Sequence, residues 1–394
     1  MFRFKIFIGL SGGFGPLSRT FPLAEEFKKA GMEVCFSAYD ETTVSYIKKA
    51  GYKVLSDDDP TMPREEFIPK PSSTFYNLDQ YFAQMGLLDA EFTNSWIYSR
   101  INMLQDYQPN LVITDLSPNT MIAAKFLKIP TLSFVQSCLH PKGESFHNEV
   151  PRNLPKVTPI INDILSKLML KPIEKMEDLS VGDKTLVPSF PELDPISCNI
   201  DYVGPITTNF IHNKNSIILP ENYVLVYPGR LYDSVGETGQ NIVSQVIEAS
   251  KELKDYNFVI SSSDKDLQNK VDIPENILVI PFFNEHILSK ARLFIHHGGH
   301  GSCLASIKNT TPSLILPTHS ERYFNAKKIA KYGFGDYLIP HSLTNTHFIQ
   351  MIDFMFNDFS YQSNIKLYQK EIEKRDYKGE QRVFDIACSL IKRK

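Results

Sequence analysis

Short apolar runs alternate with segments of helical apolar spacing along almost the whole chain. Residues 4–10 (FKIFIGL) read as a buried strand, SGGFGP breaks it, and 17–30 (LSRTFPLAEEFKKA) repeats apolar residues at helical spacing before Gly31. MEVCFSAY at 32–39 is a second strand. Strand, glycine loop, helix and strand make a βαβ unit, which requires a parallel sheet. The rhythm continues through TTVSYIKKAG and YKVLS and loosens over 57–78, where prolines and acidic residues form a long connection. One extended helical segment over 79–106 follows, then a strand at 110–115, a helix at 118–127 and a strand at 130–136. From 137 to about 180 a polar loop with His140 and His147 precedes the amphipathic stretch IINDILSKLMLKPIEKM. Its few lysines favour a lid or pocket helix over one lying on a membrane surface. TLVPSF and CNIDYVGP are short strands.

Residues 206–221 mix Asn, Lys and Thr without helical period and read as a linker. The alternation then restarts: YVLVYPG, a helix at 239–254, NFVISSS, ILVIPFF, a helix at 284–291, LFIHHGG, a helix at 302–308, PSLILP and a helix at 322–332. The expected fold is α/β, with two doubly wound parallel sheets. The expected domains are 1–205 and 222–394, the last helix being free to pack back on the first domain.

Composition narrows the class. A chain of 394 residues exceeds one comfortable core, and 42% hydrophobic with 22% charged residues is the balance of a folded, water-soluble protein. The formal net charge is -3 and no long block of like charge occurs, so a nucleic-acid partner is not implied. The five cysteines lack metal-ligand spacing and a disulfide pattern, which suits a reducing cytoplasm. The N-terminal apolar run contains Lys5 and leads into glycines, and no uninterrupted apolar stretch is long enough for a membrane helix. The expectation is a cytoplasmic protein, neither secreted nor membrane-spanning.

The chemistry concentrates in 293–326, LFIHHGGHGSCLASIKNTTPSLILPTHSERYFNA. A strand ends at His296 and His297, Gly298, Gly299 and Gly301 make a tight turn, and Ser302 begins a helix. Such a turn gathers amide N–H groups and the positive helix end around one point, a site suited to a diphosphate. On the residues alone, His297 reads equally as a core histidine.

The segment resembles the donor signature of the UDP-glycosyltransferase superfamily, the family 1 glycosyltransferases of GT-B fold. The matching residues are His297, Gly298, Gly299, Gly301, Ser302, Pro312, Pro317, Glu321, Asn325 and Ala326. The resemblance implies two Rossmann-like domains facing each other across a cleft. It also implies that His297 and the amides near Gly299, Gly301 and Ser302 hold the donor diphosphate, and that Glu321 accepts hydrogen bonds from the transferred sugar. Upstream, ILVIPFFNEHILSKA resembles the family's nucleobase segment, which puts Phe282, Phe283 and Asn284 at the base. Arg230 in the turn PGR is a further phosphate contact or simply an exposed arginine.

Three departures from the family pattern matter. The N-terminal glycine loop carries Gly12, Gly13 and Gly15 but Pro16 where relatives place a basic His or Asp. Proline takes no proton, so Asp115 at a strand end is the first candidate for a direct base, with His140 and then His147 behind it. Ala305 stands where many relatives have a ribose-binding Glu, and Arg322 replaces a Gln. Arg322 favours a donor with added negative charge or an altered sugar.

The expected activity is inverting transfer of a hexose from a UDP- or TDP-sugar to a small, hydrophobic acceptor, in the manner of bacterial macrolide and other antibiotic natural-product transferases. The nucleotide sugar is a co-substrate; no cofactor and no metal is implied, since amide dipoles and His297 would stabilise the leaving diphosphate. A second reading is a catalytically impaired homologue serving as partner or activator of another enzyme. A sugar epimerase and a cell-wall type transferase rank below both.

Overall fold

The computed structural model describes residues 4–11, 13–56, 62–206, 217–233, 236–262, 267 and 273–392. The chain divides into two compact units: Met1–Pro71 with Phe75–Thr208 and Tyr377–Lys394, and Ser72–Thr74 with Asn209–Asp376. Most of the 206–221 linker expectation, residues 207–216, lies outside the described residues, as does Gly12.

The first unit is built on strands β1 (Lys5–Leu10), β2 (Glu33–Ser37), β3 (Lys53–Val54), β4 (Leu111–Asp115), β5 (Thr131–Phe134), β6 (Lys184–Val187) and β7 (Asp201–Tyr202). They lie in the order β3-β2-β1-β4-β5-β6-β7, and every pairing is parallel. Helices cover both faces, so β1 and β4 are continuous apolar runs; Ile6, Phe7, Ile8, Leu111, Val112 and Ile113 are fully buried. The strand order reverses direction between β1 and β4, the switch point where open α/β sheets bind ligands beyond their carboxyl ends. Leu10 pairs there with Asp115.

Several expected elements are corrected. The helical segment over 79–106 is two helices, Leu78–Phe82 and Ala90–Tyr107, joined by a π-turn over Ala83–Leu87. Gly86 sits at φ +90° against Pro63, and Asp89 caps the second helix by accepting from the Glu91 N–H at 3.1 Å. The amphipathic stretch is helical only over Thr158–Lys167, and its apolar residues Ile161, Ile164 and Leu165 are buried in the unit's own core, leaving no apolar face for a membrane. The last helix, Gly379–Lys392, belongs to this unit: the Gly379 N–H donates to Val203 O at 2.9 Å, and Phe384 lies 5.4 Å from Phe27.

The second unit repeats the plan with β8 (Tyr223–Tyr227), β9 (Asn257–Ser261), β10 (Ile277–Ile280), β11 (Leu293–His296), β12 (Ser313–Ile315) and β13 (Gly335–Tyr337). The order is β10-β9-β8-β11-β12-β13, again parallel throughout. β13 was not foreseen: three residues containing a glycine carry too little apolar pattern. Two helices, Asn345–Asn357 and Ser360–Glu373, complete the unit. Among the described residues no helix is long and apolar enough to cross a membrane.

Candidate active site

The switch point of the second sheet lies between β8 and β11, whose strands pair in register up to Tyr227 and His296. Past these residues β8 runs into Pro228-Gly229-Arg230 and β11 into His297-Gly298-Gly299. The His297 ring sits between the two loops. A Cβ on Gly229 would come 2.9 Å from its Nδ1, and a Cβ on Gly299 would come 2.6 Å from its Nε2. Glycine at both places is therefore what admits the ring. The Tyr227 ring meets it edge-on, centroids 5.4 Å apart.

His297 is 8% exposed and its Nδ1, though buried, makes no hydrogen bond. Burial, then the nearby Arg322 charge, hold its pKa well below the usual histidine value, so the ring is neutral at pH 7. A neutral ring still carries one N–H to donate. The core-histidine reading belongs to its neighbour. His296 accepts from the Gly298 N–H through Nδ1 at 3.1 Å, meets Ser313 Oγ through Nε2 at 3.1 Å, and stacks on Phe294.

The helix after the glycines runs His300–Lys308, two residues earlier than the sequence suggests, with Gly299 as its N-cap. Its first hydrogen bond is Cys303 N–H to Gly299 O, so the amides of Gly301 and Ser302 have no intrahelical acceptor. Gly301 is exposed, and a Cβ there would meet nothing within 4 Å. Unlike Gly229 and Gly299, this glycine is not required by the protein's own packing.

The helix Ser320–Lys331 supplies the polar groups on the other side of the loop. Asn325 Nδ2 donates to Gly298 O at 3.0 Å and to Glu321 Oε1 at 2.8 Å, so one amide braces the glycine turn and orients the carboxylate. Arg322 donates to Thr318 Oγ1. Burial lowers its pKa, while Glu321 and Asp233 favour its charge. Sequence reasoning did not single out Tyr227, Gly229, Asp233, Thr318 or His319. Only the proline-glycine pair at the end of β8 carried a signal.

The nucleobase segment is less simple than its resemblance implies. Phe283 packs edge-on against Tyr227 and Phe294, at 5.2 and 5.4 Å, as part of the core, whereas Phe282 is 48% exposed. The Asn284 side chain caps the helix Glu285–Lys290, accepting from the Ile287 N–H at 3.0 Å. Its oxygen is thus committed to the backbone. Arg230 is exposed.

Residues 244–375, which contain the glycine turn and the Glu321–Asn325 brace, match the family described as erythromycin biosynthesis protein CIII-like, C-terminal domain. The uncharacterized UDP-glucosyltransferase YojK of Bacillus subtilis (strain 168) is 24% identical over 225 residues, 55% of this chain and 54% of its own length. The NDP-glycosyltransferase YjiC of the same organism is 21% identical over 378 residues, 91% of each chain. The solved structure of glycosyltransferase VinC in complex with DTDP has a TM-score of 0.69 at 17% identity, covering 99% of this chain and 100% of VinC. The chain has the GT-B fold of these structures, and its second unit carries the pattern of the matched C-terminal family.

The residues expected to activate an acceptor lie in the first unit. Gly13 caps the helix Phe14–Lys29, and Gly15 and Pro16 lie inside its first turn. The Gly13 N–H donates to Asp40 Oδ2 at 2.7 Å. Asp115 is 2% exposed and gives both oxygens to Arg19 of that helix, at 2.8 and 3.1 Å. The direct-base expectation thus meets an occupied carboxylate that ties the helix to β4. His140 is also buried. Its Nδ1 accepts from the Lys142 N–H at 3.0 Å, and burial lowers its pKa. With Nδ1 accepting this bond, the neutral ring carries its proton on Nε2. His147 packs against Tyr76 at 4.9 Å.

Proposed function

We propose that this chain is a glycosyltransferase that moves a hexose, with inversion, from a UDP- or TDP-sugar to a small, hydrophobic natural-product acceptor. The observation that carries the reading is the helix start, where the Gly301 and Ser302 amides have no intrahelical acceptor and a Cβ on Gly301 would meet nothing within 4 Å. Backbone N–H groups without an acceptor at a helix start favour an anion such as a diphosphate.

The donor's diphosphate would then lie against the helix start, with Glu321 receiving sugar hydroxyls and Phe282 offering an exposed ring to the base. As the anomeric C–O bond breaks, negative charge grows on the diphosphate. The Gly301 and Ser302 amides and the positive end of the helix would stabilise that charge. Arg322, a half-buried cation beside Glu321, supports a donor sugar with acceptor atoms on that side. The DTDP complex of VinC and the UDP-glucosyltransferase name of YojK support the two nucleotides. The free thiols of all five cysteines support a cytoplasmic setting.

The test is calorimetric titration of UDP and DTDP into the wild type and His297→Ala, followed by nucleotide release from UDP- and TDP-glucose with a mixed acceptor panel. Loss of one charge-assisted hydrogen bond should weaken binding by about 10- to 100-fold. Unchanged affinity would remove the site. Donor binding without transfer to any acceptor would favour the partner-protein reading.

A further inference from the structure

Arg322 stands at the glycine turn of the second unit with most of its N–H donors unused. A Cβ on Gly298 would come 3.1 Å from the Arg322 Cβ, so the side chain starts directly against the turn. After burial, its charge is the next influence that lowers the pKa of His297 and of His319. The guanidinium therefore faces the loops that follow β11 and β12, all within one unit.

Elsewhere the chain shows how it satisfies an arginine. Arg19 Nε and Nη2 reach the two oxygens of Asp115 at 2.8 and 3.1 Å, and Arg64 Nε and Nη2 reach those of Asp89 at 2.8 Å each. Both are the two-pronged pairing that a planar guanidinium makes with a carboxylate. Arg322 has no such partner. Among the described residues no carboxylate lies within ion-pair distance of it, and its one side-chain hydrogen bond runs to Thr318 Oγ1. Burial lowers its pKa, and Glu321 and Asp233 act on it only from farther off, in favour of the charge. Those two carboxylates are turned to other groups: Glu321 Oε1 accepts from Asn325 Nδ2 at 2.8 Å, and Asp233 Oδ2 accepts from Thr238 Oγ1 at 2.6 Å.

Glu321 and Arg322 are thus neighbours in sequence that face the site separately. The first only accepts hydrogen bonds, which suits hydroxyls; the second only donates them. A sugar hydroxyl can take one N–H from Arg322, but its single oxygen does not span the two parallel donors of the fork, whereas a carboxylate does. The diphosphate has donors of its own in the Gly301 and Ser302 amides, which belong to a different helix start. We propose that Arg322 selects a donor whose hexose bears a carboxylate, a nucleoside diphosphate hexuronate, with the fork on that carboxylate and Glu321 on ring hydroxyls. The inference rests on the donor half of the sugar-transfer reading.

Calorimetric titration of the full chain with UDP, UDP-glucose and UDP-glucuronate, and with the corresponding TDP compounds, tests it. The wild type should bind the hexuronate about 10- to 100-fold more tightly than the glucose donor of the same base. Arg322→Gln keeps an N–H for Thr318 Oγ1 but has no charge. It should bind UDP as the wild type does and lose the preference. Arg322→Lys keeps the charge without the fork and should show a reduced preference, which carries the comparison if Arg322→Gln is unstable to heating. No preference in the wild type, or one that survives in Arg322→Gln, overturns the proposal. An equal loss for UDP and both sugars in Arg322→Gln puts the guanidinium on the diphosphate and overturns it too. A wild type that binds none of these nucleotides removes the donor site and the proposal together, whereas binding of UDP with no preference between the sugars removes the proposal alone.

Discussion

Gly301→Val separates a ligand's requirement for glycine from the protein's own. The position is in the first turn of the helix His300–Lys308, at negative φ, and a Cβ there meets nothing within 4 Å. Replacing a helical glycine should leave stability unchanged or raise it by a few tenths to about 1 kcal/mol. A bound diphosphate, by contrast, would have to share that space with two methyl groups. If the phosphate is driven off two amides, each charge-assisted bond worth about 1.5 kcal/mol or more, affinity falls by roughly 3 kcal/mol, or more than 100-fold. Gly299→Val is the control. Its Cβ would lie 2.6 Å from His297 Nε2, so it should lower both the melting temperature and nucleotide binding. Scanning calorimetry and titration with UDP and DTDP read the two quantities separately. Wild-type affinity in a stable Gly301→Val protein would refute the idea that the helix start cradles phosphate.

Acid stability should expose the buried histidines. His296 is lowered by burial to about 3, against about 6.5 in an unfolded chain, so between those values the unfolded chain binds the extra proton. Its contribution is complete above about pH 6.5 and is lost as pH falls toward about 3, with His297 and His319 shifted in the same direction. Urea unfolding across this range should show stability falling with pH, less steeply in His296→Gln; identical slopes in the two proteins would contradict the assignment. Arg19→Met leaves Asp115 buried and unpaired, since the pair's side chains are only 9% and 3% exposed. It should cost about 3–5 kcal/mol in denaturant unfolding, and Arg19→Met with Asp115→Asn should recover part of that. A loss below about 1 kcal/mol would mean the pair does not anchor the helix.

The glycine turn was readable because its pattern is local. Strand LFIH, three glycines and a helix start lie within a dozen residues, and fixed spacing puts Glu321 and Asn325 one helical turn apart on the next helix. The cluster around Tyr39 was not, because its parts come from distant segments. Tyr39, Trp96, Arg100 and Asn119 follow four different elements to one oxygen, and nothing in the residues near any of them announces the others. Asp115 was visible as a strand-end carboxylate, but its partner Arg19 is 96 residues away.

What the sequence alone determined was the alternating α/β plan and the glycine turn, since period-two and helical patterns and backbone freedom act over a few residues. Only the tertiary structure decided which of two adjacent histidines is core and which faces the open turn. It also decided that Asp115 is an ion-pair partner and that three donors meet at Tyr39. Those outcomes depend on burial and on contacts between segments far apart in the chain, and both exist only once the sheets are assembled.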